Sequence, residues 1–219
     1  RRTQRTDLIR VTTVFGLHAG HGDQWLDLHD LTSIDAQMAM RDFCHAAEDI
    51  AWIEQPRTAT SIECFIDAYA DWLQDDFGIS FPVHDRRVFL GSLLYFVLNV
   101  STRYNDHVGF LFADLEDNAE TRARAGIDQL LDLQWASVTI RSNFARNGGS
   151  FQRLDYYDLI EKDLSKLAEP VSAATGAPAY QTSEDWPVMF QEVVAVNGIL
   201  TGLVISVSVA FLAILIFTS

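Results

Sequence analysis

The chain has 219 residues, enough for one sizeable domain with its own core. It carries 16 Lys and Arg against 30 Asp and Glu, a formal net charge of −14, and a surface that acidic repels phosphate backbones and anionic headgroups, which disfavours nucleic-acid binding and peripheral lipid attachment. It contains no GxSxG, P-loop or GxGxxG pattern, so the expectation is a protein that is not an enzyme and uses no cofactor.

Residues 8–17 (LIRVTTVFGL) place Ile9, Val11, Thr13 and Phe15 on one side of an extended chain and Arg10 and Thr12 on the other, the period of a strand. Residues 18–31 are polar, hold Gly20, Gly22 and several Asp, and read as a loop. Thr32 or Ser33 then caps a helix running to about Trp52, with Met40, Phe43, Ala47 and Ile50 on one face, and Pro56 ends that unit. Helical spacing of Phe65, Tyr69, Trp72 and Leu73 predicts a second helix over 61–76, and Phe89, Leu93, Phe96 and Val97 a third over 85–99. At about 15 residues the third is too short to span a bilayer, so burial in the domain, or contact with a partner or lipid surface, is expected. Together the two look like an insertion over about 61–100. The nearly continuous apolar run 107–115 suits a central strand buried on both faces. A short helix is expected over 119–133, with Ala123, Ile127, Leu130 and Leu131 inward, then a strand over 135–144 ending in the turn signal Asn147, Gly148, Gly149. A helix over 154–168 follows, stopped by Pro170, and a last short strand over 178–182.

The final stretch is of another kind. From Val193 to Ser219 there is no Asp, Glu, Lys or Arg, and 198–218 is apolar or small throughout, the length that a hydrocarbon core of roughly 30 Å demands of a helix. It reads as a transmembrane helix. Gly198, Gly202, Ser206 and Ala210 recur every fourth residue, a stripe of small side chains suited to close packing against a neighbouring helix. Asp185 can cap a helix with Trp186 and Pro187 in its first turn, so one rod is expected over 186–219, reaching unbroken to Thr218. The chain divides into a domain over 1–185 and this rod. Lys166 is the last basic residue before the span, while Glu184, Asp185 and Glu192 lie close to it. The flank lacks the Lys/Arg excess of cytoplasmic loops, which puts the domain on the extracellular or lumenal side. Four Arg among the first ten residues lead into a strand pattern and not an apolar signal segment, so the chain is expected to be a piece of a longer protein whose translocating segment lies upstream of Arg1.

Two cysteines occur, Cys44 and Cys64. In an oxidising compartment they could close a loop of about 20 residues, contributing roughly 3 kcal/mol; two separate buried thiols are the alternative, and the bridge is favoured. His18, His21, Asp23 and His29 come closest to a metal cluster, but they crowd one Gly-containing loop where a zinc site needs ligands held by defined elements, so no metal is expected. The neighbouring carboxylates Asp75/Asp76 and Glu116/Asp117 point apart on a helix and read as solvated faces. Asn99-Val100-Ser101 is an N-glycosylation acceptor pattern that matters if the domain is extracytoplasmic.

Without the inserted helices the order is βαββαβ, that of a ferredoxin-like α+β sandwich with helices on one face of an antiparallel sheet. Such a domain, feeding through DWPVMFQEVV (185–194) into a small-residue span, resembles the second extracellular loop of the Patched, Dispatched and Niemann–Pick cholesterol transporter group of the RND superfamily. The run SVSVAFLAILIFTS (206–219) looks most like the eighth membrane helix of Dispatched-type proteins, and VTTVFGL (11–17), with DFC (42–44) and ECF (63–65), looks like the start of their second loop. The resemblance implies a porter-like domain between the seventh and eighth membrane helices, and movement of sterols or lipid-modified cargo driven by ion flow. The implied partners are the remaining transmembrane helices, the first extracellular domain of the same protein, and a sterol or lipidated protein cargo. The acidic residues that carry ions in that superfamily lie in other helices, and none maps onto this chain. The alternative is a single-pass or tail-anchored membrane protein whose acidic α+β domain binds a protein partner.

Overall fold

The computed structural model describes residues 8–16, 30–54, 61–112 and 130–218. The proposed histidine loop, Pro56, Glu116/Asp117 and most of the helix expected over 119–133 lie outside them. Strand β1 (Leu8–Phe15) alternates as its sequence demands, burying Ile9, Val11, Thr13 and Phe15. It runs antiparallel to β4 (Leu130–Ala145), and on its other side to β5 (Tyr180–Thr182). The far edge of β4 is lined in succession by β3 (Val108–Phe112), by β2 (Ile62–Glu63) and by a single bridge from Ile53 to Ser142. All five strands are antiparallel to their neighbours, in the order β5-β1-β4 with β2 and β3 beyond, which is the ferredoxin-like α+β arrangement.

One face of this sheet carries the helices. α1 (Ile34–Ala47) starts where Ser33 Oγ accepts from the Ala36 amide at 3.2 Å, which satisfies a donor the first helical turn leaves open. Its buried side puts Phe43 edge-on to Phe15 of β1, at 5.2 Å between ring centroids. The helix stops at Ala47 and not near Trp52: the amides of Glu48, Asp49 and Ile50 turn back to carbonyls three residues earlier. That tighter turn releases the chain, so Ile53 can join the edge of β4. α4 (Ser150–Thr175) lies beside α1 on the same face. It continues through Pro170, where a stop was expected. Pro170 is exposed, and Val171 and Thr175 beyond it are buried; the burial of another turn outweighs one lost backbone hydrogen bond. Gly176, at φ 74°, ends the helix in the left-handed conformation that glycine tolerates.

Between these elements, α2 (Phe65–Phe77) and α3 (Arg86–Tyr95) extend the same core. Tyr69 sits among Phe81, Phe89 and Phe96 in edge-on contacts, and its hydroxyl meets Ser92 Oγ at 2.7 Å. Gln37 of α1 pairs in both directions with the backbone of Val83, each bond 3.0 Å. The apolar face of the third helix is therefore buried within the domain. The Cys44–Cys64 disulfide joins α1 to the residue before α2, across a sequence separation of 20.

Residues 130–133, expected as the end of a helix, belong to β4. Leu130 and Leu133 suit either period; pairing with β3, from Phe112↔Leu130 to Val108↔Ala136, decides for the strand. Gly109 makes that pairing possible, because a Cβ there would lie 2.0 Å from Trp135 Nε1.

Candidate functional site at the junction of sheet and apolar helix

α5 (Asp185–Thr218) is one helix of 34 residues, about 50 Å long at 1.5 Å per residue. Asp185 is its first residue and not its cap. The Ser183 hydroxyl accepts from the Asp185 amide at 3.3 Å, which frees the Asp185 carboxylate for Arg146, at 3.0 Å, while Glu184 takes a second guanidinium nitrogen at 3.2 Å. The hydrogen bond with Asp185 is the main cause that holds the Arg146 pKa above its usual value. Trp186, Met189 and Val193 are buried, at the spacing of one helical face. The indole nitrogen of Trp186 donates to Gln181 of β5 at 2.8 Å, and Tyr157 of α4 stands edge-on to both Trp186 and Phe190. Burial is the leading cause raising the Tyr157 phenol above its ordinary pKa. Lower down, Glu192 accepts from Arg153 at 2.6 Å and from the Ser150 hydroxyl.

Among the described side chains beyond Val193 these contacts cease. Residues 194–211 are all exposed, among them Val194, Ile199, Leu203 and Phe211. The segment from Asp185 to Phe211 is long and apolar enough to cross a membrane. Its serines suit that medium: Ser206 and Ser208 donate to the carbonyls of Gly202 and Val204 at 2.8 and 2.7 Å, so these hydroxyls are satisfied within the helix. A Cβ added at Gly198 or Gly202 would meet nothing within 4 Å. Among the described residues, the face of Gly198, Gly202, Ser206 and Ala210 is open.

The sheet face turned away from α1 and α4 is polar. Arg10, Thr12, Thr139 and Thr182 lie on it, with Glu63 from β2, around a groove of about 600 Å³. The Thr12 and Thr139 hydroxyls are 2.9 Å apart. Glu63 lies 3.4 Å from the buried His107 ring, whose other nitrogen is 3.3 Å from the Ser137 carbonyl oxygen. One end of the groove is walled by Arg146 and Glu184, so it opens against the start of α5. Alternation in β1 and β4 shows in the sequence which residues face outward. The contributions of β2 and of the β5–α5 turn do not, because two- and three-residue strands carry no period.

Of the other residues marked in the sequence, Asn99 is exposed and donates its amide to the Tyr95 carbonyl at 3.2 Å. Asp75 and Asp76 are both exposed near the end of α2. Asp67 approaches Cys44 and Cys64, but the two sulfurs are bonded to each other and are not ligands.

No protein-family model matches the chain. Over 91 residues it is 31% identical to the human protein named Protein dispatched homolog 3. The match takes in 40% of this chain and 6% of that protein's length. Over that stretch the chain is Dispatched-like, and an apolar helix long enough to cross a bilayer fits a membrane protein.

Proposed function

We propose that this chain is part of a Dispatched/Patched-like RND membrane transporter, its α+β domain standing on the extracellular or lumenal side and forming part of a path for sterol or lipid-modified cargo. In this reading the domain performs no catalysis. The observation that carries the reading is the continuity of α5. Its first turns are locked to the sheet and α4 by Trp186, Met189, Val193 and two sets of ion pairs, and the same helix goes on as an exposed apolar segment of membrane-spanning length. Movement of the span is thereby movement of the sheet and of the groove at its foot. The groove is lined by threonines, arginines and glutamates, a surface for polar contact and not a sterol chamber. The apolar part of the path is supplied by the remaining transmembrane helices and the first extracellular domain. The small-residue face of Gly198, Gly202, Ser206 and Ala210 seats one of those helices, and Asn99 carries glycan.

The test is a flexible Gly-Ser pair inserted between Asn197 and Gly198 in the full-length protein. Among the described residues, all the buried ones lie upstream, so the domain stays folded and reaches the surface, and transport of a photoactivatable sterol or lipidated cargo is abolished. Full transport by the insertion variant sinks the reading of the rod as a lever. A full-length sequence with no further apolar spans would replace it by the single-pass, partner-binding alternative.

A further inference from the structure

α4 runs antiparallel to the domain-bound end of α5. Tyr157 meets Trp186 and Phe190, whereas Ser150 and Arg153, nearer the start of α4, meet Glu192. The first turn of α4 thus points along α5 toward its apolar part and stands level with Glu192, the last charged residue of the chain. From Glu192 to Gly198 the helix rises about 9 Å, and the headgroup layer on one side of a bilayer is roughly 5–8 Å thick. The turn leading into α4 therefore reaches the outer boundary of that layer. Two observations fit it to that place. Residues 147–152 (NGGSFQ) contain no charged side chain, in a chain whose net charge is −14. Phe151, the second residue of α4, is 48% exposed, and side chains in a helix tilt toward its N-terminus, here toward the apolar part of α5.

We propose that the uncharged segment 147–152, with the exposed Phe151 in it, rests in the headgroup layer of the bilayer that α5 crosses. The domain then stands on the membrane at two points, the rod and this foot, and cannot swing freely about the rod. A lone exposed aromatic means nothing by itself; the level of Phe151 against Glu192 gives it an occupant, because lipid is what surrounds α5 immediately beyond. The inference rests on the reading of α5 as a membrane span.

The test uses the full-length protein, other free thiols replaced, in phosphatidylcholine nanodiscs. The variants Phe151→Cys, Leu159→Cys and Leu203→Cys are each labelled with a fluorophore that lipid nitroxides quench. All three positions are exposed, so the labels displace no core contact, and Cys44 and Cys64 are occupied with each other. Leu159 stands about 12 Å farther up α4 than Phe151. Expected are strong quenching at 203 by acyl-chain nitroxide, about a twofold loss of intensity at 151 with headgroup nitroxide, and little change at 159. Quenching at 203 but no more at 151 than at 159 overturns the foot and leaves the span intact. No quenching at 203 overturns the span, and the foot with it.

Discussion

The domain-bound end of α5, residues 185–193, and the apolar remainder share one unbroken backbone but meet different surroundings. In the first part Trp186, Met189 and Val193 are buried on one face while Glu192 and Asp185 hold arginines of neighbouring elements. In the second, no side chain from 194 to 211 is buried, and the serines bond only to their own helix. The first part is amphipathic and belongs to a water-soluble core; the second is apolar on every side and needs another solvent or other helices. The geometry of the helix continues unbroken where its chemistry changes.

The largest break in this comparison comes from Trp186. Trp186→Ala removes a buried ring and its hydrogen bond to Gln181 and should destabilise the domain by about 3–5 kcal/mol in denaturant titration. Leu203→Ala, on the same helix but 60% exposed, should leave the domain's midpoint within about 0.5 kcal/mol of wild type. Equal effects would mean that the two parts are not distinct.

Next comes the disulfide, which lies wholly on the domain side. Cys64→Ser, or reduction of the wild type, should cost about 3 kcal/mol by loop-closure entropy over a separation of 20 residues. Helicity of the rod, followed by circular dichroism in detergent, should be unchanged. Free alkylation of both thiols in the folded, unreduced protein would contradict the bridge.

A third contrast is pH dependence. Burial pushes the Tyr69 phenol up to about 12, against a weaker opposing effect of its bond to Ser92. A pKa higher in the folded than in the unfolded chain means that the unfolded form loses its proton first. The neutral phenol's contribution is thus complete below about pH 10 and is lost as pH rises toward 12, by an amount on the order of 2 kcal/mol. Tyr69→Phe should flatten that alkaline limb. Residues 193–219 have no titratable side chain, so the apolar part of the rod should not respond; an alkaline limb unaltered in the variant would remove Tyr69 from the account.

The smallest effect is expected at Glu192. Its carboxylate is 46% exposed, so Glu192→Gln should cost no more than about 1 kcal/mol, and the difference should shrink as salt rises. A larger, salt-independent loss would show that this junction is as buried as Trp186.

Much of this was legible in the sequence because it depends on local pattern. Alternation in 8–17 gave β1 and its buried face, the spacing of Met40, Phe43 and Ala47 gave the packed side of α1, and an uncharged run from Val193 allowed little besides a membrane-length helix. Other features were decided by partners distant in the chain. Leu130 and Leu133 carry side chains compatible with helix or strand, and only β3 beside them selects the strand. Ile62 and Glu63 are too few to show a period, yet they add β2 because the edge of β4 is open to them. Pro170 has a local cost that predicts a stop, and burial of Val171 and Thr175 overrides it. Asp185 looks like a cap until Arg146, 39 residues earlier, claims its carboxylate. Periodicity determines which side of an element is apolar, since that follows from backbone geometry alone; where an element begins, ends or finds its neighbour is settled by tertiary contacts, whose energies exceed the few tenths of a kcal/mol by which most local preferences differ.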